Sequence, residues 1–330
     1  MRAQCVAALA TARKNARGKE ALGQFPCARR AKRLDYAAMT VAALRTLLRL
    51  FSLLPLRWAH ALGALLGALA GALPGRARAT ARANLRLCYP ELETAKRERL
   101  RRASARELGK TVLELGAIWF WPMPRLEQYI EPGGGLEYVE TAIARGKGLL
   151  VAVPHLGAWE LMAPYWGRRL PLHTLYQPPR NPALEPLLVL ARERAGGRVH
   201  PASPSGIKAL SRALKAGEVV AILPDQKPDG RGEAAAFFGV PANTMTLLPR
   251  LAQRHPEAAV LLGYVERLPR GRGYRLHFME APEEVRDSDL SRAAAAMNLA
   301  VEQAVRRLPE QYQWTYKRFP RETYRQPPER

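Results

Sequence analysis

The chain has 330 residues, 48% of them hydrophobic, and a formal charge of +23. That length suits one large domain or two small ones, and the apolar share is enough for a sizeable core. The charge calls for an anionic partner, whether nucleic acid, membrane surface, or acidic protein or substrate. The three cysteines, Cys5, Cys27 and Cys88, are too few and too scattered for a disulfide framework or a zinc site, so they are predicted to be reduced thiols.

Residues 1–38 are basic, with nine Lys or Arg against two acids between Met1 and Asp35. They are expected to be a disordered extension, or sequence upstream of a start at Met39. Residues 39–75 are apolar and form the predicted membrane-anchor segment. Its cleanest run, Trp58 to Leu73, has 16 residues, and a bilayer core needs roughly 20. A short spanning helix, an amphipathic interfacial helix and a buried helix pair all fit this stretch. Gly63, Gly67 and Gly71 recur every four residues, a spacing that lets another helix approach closely. Arg76, Arg78, Arg82 and Arg86 follow at once, and such clusters are drawn to anionic lipid.

Residues 76–330 are predicted to be one domain. Apolar spacing predicts a helix over 90–121, then helices over 136–145, 158–168, 183–194, 205–216 and 244–255. A last helix over 288–308 is expected behind Asp287 as its cap. Strands are predicted at 148–153, 172–176, 198–199, 218–223, 258–266 and 274–280. This alternation argues for an α/β fold, a mixed but mostly parallel sheet flanked by helices, with an N-terminal membrane-associated helix.

Open α/β sheets bind ligands beyond the carboxyl ends of their strands. The stretch "GLLVAVPHLGAWE" puts His155 there. Pro154 ends a buried strand, and Glu160 follows in the first turns of a helix. A histidine accepts a proton from a hydroxyl when a carboxylate holds its other ring nitrogen. Glu160 is the expected carboxylate. Taken alone, H-x₄-E is weak and fits a packed histidine equally well. Three loops at neighbouring strand ends strengthen the reading. They carry Arg180 and Asn181, then Asp225, Gln226 and Arg231, then "FFGVPANT". Trp119, Phe120, Trp121, Trp159, Met162 and Trp166 are candidate walls for an apolar groove. No metal ligand spacing occurs, and no cofactor is expected.

These motifs resemble the lipid A late acyltransferases, the lauroyl and myristoyl transferases. The resemblance rests on His-Leu-Gly-Ala-Trp-Glu160, Pro-Pro-Arg180-Asn181-Pro, Pro-Asp225-Gln226, the later Phe-Phe-Gly, and "PEQYQWTYKRF". "ANLRLCYPEL" and "KTVLELGAIW" match as well, so it runs from Thr46 to Pro320. It implies acyl transfer from acyl carrier protein to a hydroxyl of a lipid A precursor at the cytoplasmic face of the inner membrane. By position it implies His155 as general base and Glu160 as its partner. Arg180, Asn181, Asp225, Gln226, Arg231, Lys317 and Arg318 would contact substrate, phosphate or the oxyanion. The chain departs from the pattern at Tyr316, where histidine is expected. Mannoside or lysophospholipid acylation is the nearest rival. Glycerol-phosphate acyltransferases usually carry H-x₄-D and Phe-Pro-Glu-Gly, which are absent. Nucleic acid is not expected as a partner, since no recognition module or basic–aromatic interleaving occurs. A non-enzymatic membrane scaffold is the reading from a different class.

Overall fold

The protein is described from a computed structural model that covers residues 39, 41–179, 181–228, 230 and 232–325. The basic extension of residues 1–38, Arg180 and Arg231 lie outside the described residues.

Helix α1 spans residues 41–52. It is followed by α2 (Leu56–Ala72), α3 (Arg76–Cys88), α4 (Thr94–Phe120) and α5 (Met123–Glu127). The α/β part then runs β1 (Ile130–Pro132), α6 (Leu136–Arg145), β2 (Leu149–Ala152), α7 (Met162–Gly167), β3 (Leu172–Tyr176), α8 (Glu185–Glu193), β4 (Arg198–Pro201), α9 (Pro204–Lys215) and β5 (Val219–Ile222). It ends with β6 (Glu233–Phe237), β7 (Val240–Thr244), α10 (Leu247–Arg254), β8 (Ala259–Arg267), β9 (Tyr274–Glu280) and α11 (Leu290–Arg307).

Seven strands form one sheet in the order β1-β9-β8-β2-β5-β3-β4. β8, β2, β5, β3 and β4 are mutually parallel, and β9 and β1 run the other way. The predicted mixed, mostly parallel sheet is what forms. β2 and β5 lie at its centre as four-residue apolar runs buried throughout, as strands covered on both faces must be. Alternate residues feed two cores. Leu150, Ala152, Val220 and Ile222 face one apolar cluster, and Leu149, Val151, Val219 and Ala221 face the other.

Two expectations at element ends are corrected. The cap of α11 is Asp289, whose Oδ1 accepts from the backbone N–H of Ser291 at 2.9 Å. Asp287 instead accepts from the N–H of Asp289. "FFGVPANT", read as a polar loop, is the turn and second strand of the β6–β7 hairpin.

The glycine stripe of α2 finds its partner within the chain. A Cβ on Gly67 would lie 2.2 Å from the Ala105 carbonyl oxygen, and one on Gly109 of α4 would lie 2.0 Å from that of Gly63. The two backbones therefore touch, as small residues permit. Gly109→Leu is expected to force them apart and destabilise the protein by about 1–3 kcal/mol or more. Gly134→Ala, with no atom within 4 Å of the new Cβ, is the neutral control. Chemical unfolding of both variants measures the difference.

Among the described residues no single helix is long and apolar enough to cross a membrane, and α2 and α3 meet at 88°. One side of α2 is buried at Leu56, Ala59, His60, Gly63 and Gly67. The other presents Trp58, Leu65 and Leu69, and Leu73 follows just past its end, each more than half exposed.

Candidate active site

The site forms where β2 and β5 end side by side. Their register pairs Ala152 with Ile222, and three residues further along each chain stand His155 and Asp225. Val153 continues the ladder by donating its N–H to the Ile222 carbonyl at 2.9 Å. Asp225 then holds His155 at two points. Oδ1 lies 2.8 Å from Nδ1 of the ring, and Oδ2 accepts the backbone N–H of His155 at 2.9 Å. Asp225 is buried at 3% exposure, so this grip is shielded from water. Burial raises the Asp225 pKa, but its interaction with the His155 imidazole and the hydrogen bonds from the ring and the backbone outweigh this and hold the carboxyl below its ordinary range.

An ionised Asp225 at Nδ1 fixes the tautomer with the proton on Nδ1 and the lone pair on Nε2. Nε2 lies 3.1 Å from the side-chain nitrogen of Gln226, which also donates to Oε1 of Gln313 at 3.0 Å. The Trp159 ring lies 5.2 Å from the imidazole, centroid to centroid. The loop itself is held from both sides. Gly157 adopts φ +62°, and a Cβ there would lie 1.8 Å from the Val265 carbonyl oxygen. Its N–H donates to the Gln311 carbonyl, and the N–H of Gln313 donates to the His155 carbonyl.

Glu160, expected on the His155 ring, is not its partner. It lies in a 3₁₀ turn over Trp159–Leu161 and binds Arg192 of α8 at two points, 2.6 and 3.2 Å. Gly157 takes a positive φ, and the turn beyond it carries Glu160 to Arg192 of α8. Burial lowers the Arg192 pKa and the Glu160 charge more than offsets it, so the guanidinium stays charged. Arg192 had no sequence signal, since it lies 32 positions from Glu160 on a helix that reads as an ordinary surface helix.

The other expected contacts divide. Gln226 is at the ring. Asn181 accepts from the backbone N–H of Ala183 at 3.2 Å and caps a short turn. Lys317 is exposed and lies 5.7 Å from the Tyr324 ring centroid. Arg318 is buried and structural. It donates to the Asn243 carbonyl, to Thr244 Oγ1 and to Asn298 Oδ1, tying the C-terminal segment to β7 and α11. Tyr316, where the pattern has histidine, accepts the backbone N–H of Lys227 through its hydroxyl at 2.9 Å. It thus holds the loop that carries Asp225 and Gln226.

A small apolar cavity of about 20 Å³ lies beside Val153, two residues before His155, and is lined by Met162, Trp166, Phe278 and Leu149 among others. Of the expected wall residues, Met162 and Trp166 line it. Trp121 is spent elsewhere, donating its indole N–H to the Ser52 carbonyl at 2.6 Å. Cys88 is buried, which pushes its thiol pKa well up and removes it as a nucleophile.

Residues 28–321 match the family model described as bacterial lipid A biosynthesis acyltransferase. The chain is 31% identical to the lipid A biosynthesis palmitoleoyltransferase of Escherichia coli over 72% of this chain and 76% of that one. It is 30% identical to the lauroyltransferase of the same organism over the same shares. It is 28% identical to the phosphatidylinositol mannoside acyltransferase of Mycobacterium tuberculosis over 44% of this chain and 46% of that one. With residues 28–321 matching the family model and about 30% identity to its members over most of the length, the chain belongs to the bacterial lipid A biosynthesis acyltransferases.

Proposed function

We propose that this acyltransferase moves a fatty acyl group from acyl carrier protein to a hydroxyl of a lipid A precursor, at the cytoplasmic face of the inner membrane. The observation that carries the reading is the two-point hold of buried Asp225 on His155, which leaves Nε2 basic. The acceptor hydroxyl enters against Nε2, replacing the Gln226 amide. His155 takes its proton as the oxygen attacks the thioester carbonyl. The tetrahedral intermediate collapses, the C–S bond breaks, and the imidazolium returns the proton to the leaving thiolate. Asp225 stabilises the imidazolium between these steps and does not itself take the proton.

Arg180 is assigned by resemblance to the phosphate or the oxyanion, where fixed charge is usually a large catalytic term. Arg231 and Lys317 are proposed to meet the anionic substrates. Glu160 and Arg192 position the turn that carries Trp159 beside the ring. Anchoring falls to the apolar face of α2.

The rival acceptor is a mannoside, as the relative from Mycobacterium tuberculosis keeps in view. Mass spectrometry of lipid A from cells with and without the gene separates the two. Loss of one secondary acyl chain is expected, and its mass gives the acyl length. Unchanged lipid A would point to another acceptor.

A further inference from the structure

The sharpest unassigned feature is an open groove where α2, α3 and α4 meet. It is lined by Arg78, Arg82, Arg86 and Arg97, with Glu98 as its one carboxylate. Glu98 is largely taken up from behind, since Arg101 donates to both of its oxygens at 3.0 and 2.9 Å. Arg97 is used within the chain, bonded to the carbonyls of the 89–92 loop. The other three have donors to spare. Arg86 has no hydrogen-bond or ion-pair partner among the described residues. Arg82 uses only Nε, on Glu98. Arg78 donates Nη1 to the Ala72 carbonyl and leaves Nη2 without a partner among the described residues. The first turns of α3 and α4 also line the groove, and neither helix has a side-chain cap. Their free N–H groups add positive potential. An anion is the missing partner.

The setting identifies the anion's carrier. The exposed apolar side of α2 runs through Leu65 and Leu69 to Leu73. The groove begins at Pro74 and Gly75, where the chain turns by 88°. Leucine gives way to arginine within a few residues, the order of chemistry met on leaving a bilayer core for its phosphate layer. An acidic carrier protein would find the charge as well, but it has no use for the adjoining apolar face.

We infer that the α2–α3–α4 groove is a headgroup site. It binds the phosphate of an anionic membrane lipid while the apolar face of α2 enters the same leaflet. The site is separate from His155, and it is tested by binding without any acyl transfer.

The experiment is flotation of the full chain with vesicles of phosphatidylcholine alone or of phosphatidylcholine mixed with phosphatidylglycerol. An arginine near an anionic surface is worth about fivefold in partitioning. Arg86→Gln, which touches no described partner, is expected to weaken binding to the anionic vesicles about fivefold. Arg82→Gln/Arg86→Gln is expected to weaken it about 30-fold at an unchanged unfolding midpoint. Binding to neutral vesicles should not change. Arg145→Gln/Lys147→Gln removes the same charge at the C-terminal end of α6, outside the groove lining, and a less than twofold effect is expected. An equal loss in that control would mean diffuse charge and would overturn the site. So would full retention of anionic-vesicle binding in the groove variants. A loss confined to binding of an acidic carrier protein would give the groove to that protein and overturn the proposal equally.

Discussion

Asp225→Asn is expected to lower kcat for acyl transfer about 10³- to 10⁴-fold with the fold intact. The carboxylate accepts at two points, from the ring and from the backbone N–H of His155. An amide has one oxygen. If that oxygen keeps the backbone N–H, the NH₂ group faces Nδ1 and donates to it. The ring then carries its proton on Nε2 and cannot accept one from the acceptor hydroxyl. KM should change little, because Asp225 touches the ring and not the substrate. Glu160 acts through a different partner. A double-mutant cycle should show coupling between Glu160 and Arg192, with Glu160→Gln/Arg192→Gln no worse than Glu160→Gln alone. Strong coupling of Glu160 to His155 with none to Arg192 would return the glutamate to the ring.

The largest expected stability effect lies away from the site, in a buried charge network between the N-terminal helices and the sheet. Arg267, at the end of β8, donates to both oxygens of Glu114 at 2.8 and 2.5 Å, to Glu107 at 2.9 Å and to Thr111 at 2.9 Å. His60 of α2 lies 2.9 Å from Glu114, and Tyr274 of β9 donates to it at 3.3 Å. Glu114 and Arg267 are almost wholly buried, at 1% and 2% exposure. Removing one partner of such a pair leaves the other charge without compensation. Glu114→Gln is therefore expected to destabilise the protein by about 3–5 kcal/mol at neutral pH. Burial raises the Glu114 pKa, and Arg267 outweighs it and brings the carboxyl down to about 2. A depressed folded-state pKa gives stability that is present above the unfolded value of 4.5 and lost as the pH falls towards 2. The gap between the parent protein and Glu114→Gln should therefore narrow below pH 4.5 and close near 2. A gap that stayed constant would mean that Glu114 does not titrate with folding. Urea unfolding across that range reads the difference.

Much of this architecture is legible in the sequence, for identifiable reasons. Strands Leu172–Tyr176 and Tyr274–Glu280 and helix Leu136–Arg145 fall on their expected bounds, because Gly and Pro punctuate them. His155 is readable because Pro154 ends an apolar run. The α2 glycines announce a close helix contact, though not that α4 supplies it. What fails is whatever depends on strand order. Asp225 meets His155 because β2 and β5 are neighbours in register, and nothing within either segment states that. Nearness in sequence therefore favoured Glu160 over a residue 70 positions away. The β6–β7 hairpin escaped because its turn places Phe238 at φ +51° beside Gly239 at +75°, and phenylalanine is not a turn residue. The Ala234–Ala236 run carries no alternation to read either.

The proposed acyl transfer depends on a general base at the carboxyl end of β2. The most direct measurement gives purified enzyme an acyl carrier protein thioester and a lipid A precursor, and follows the acylated product by mass spectrometry. The parent protein should transfer the acyl chain to the precursor. His155→Ala should lower the rate by about 10²- to 10⁴-fold while folding and vesicle binding are unchanged. Transfer by His155→Ala at the parent rate would contradict the central claim.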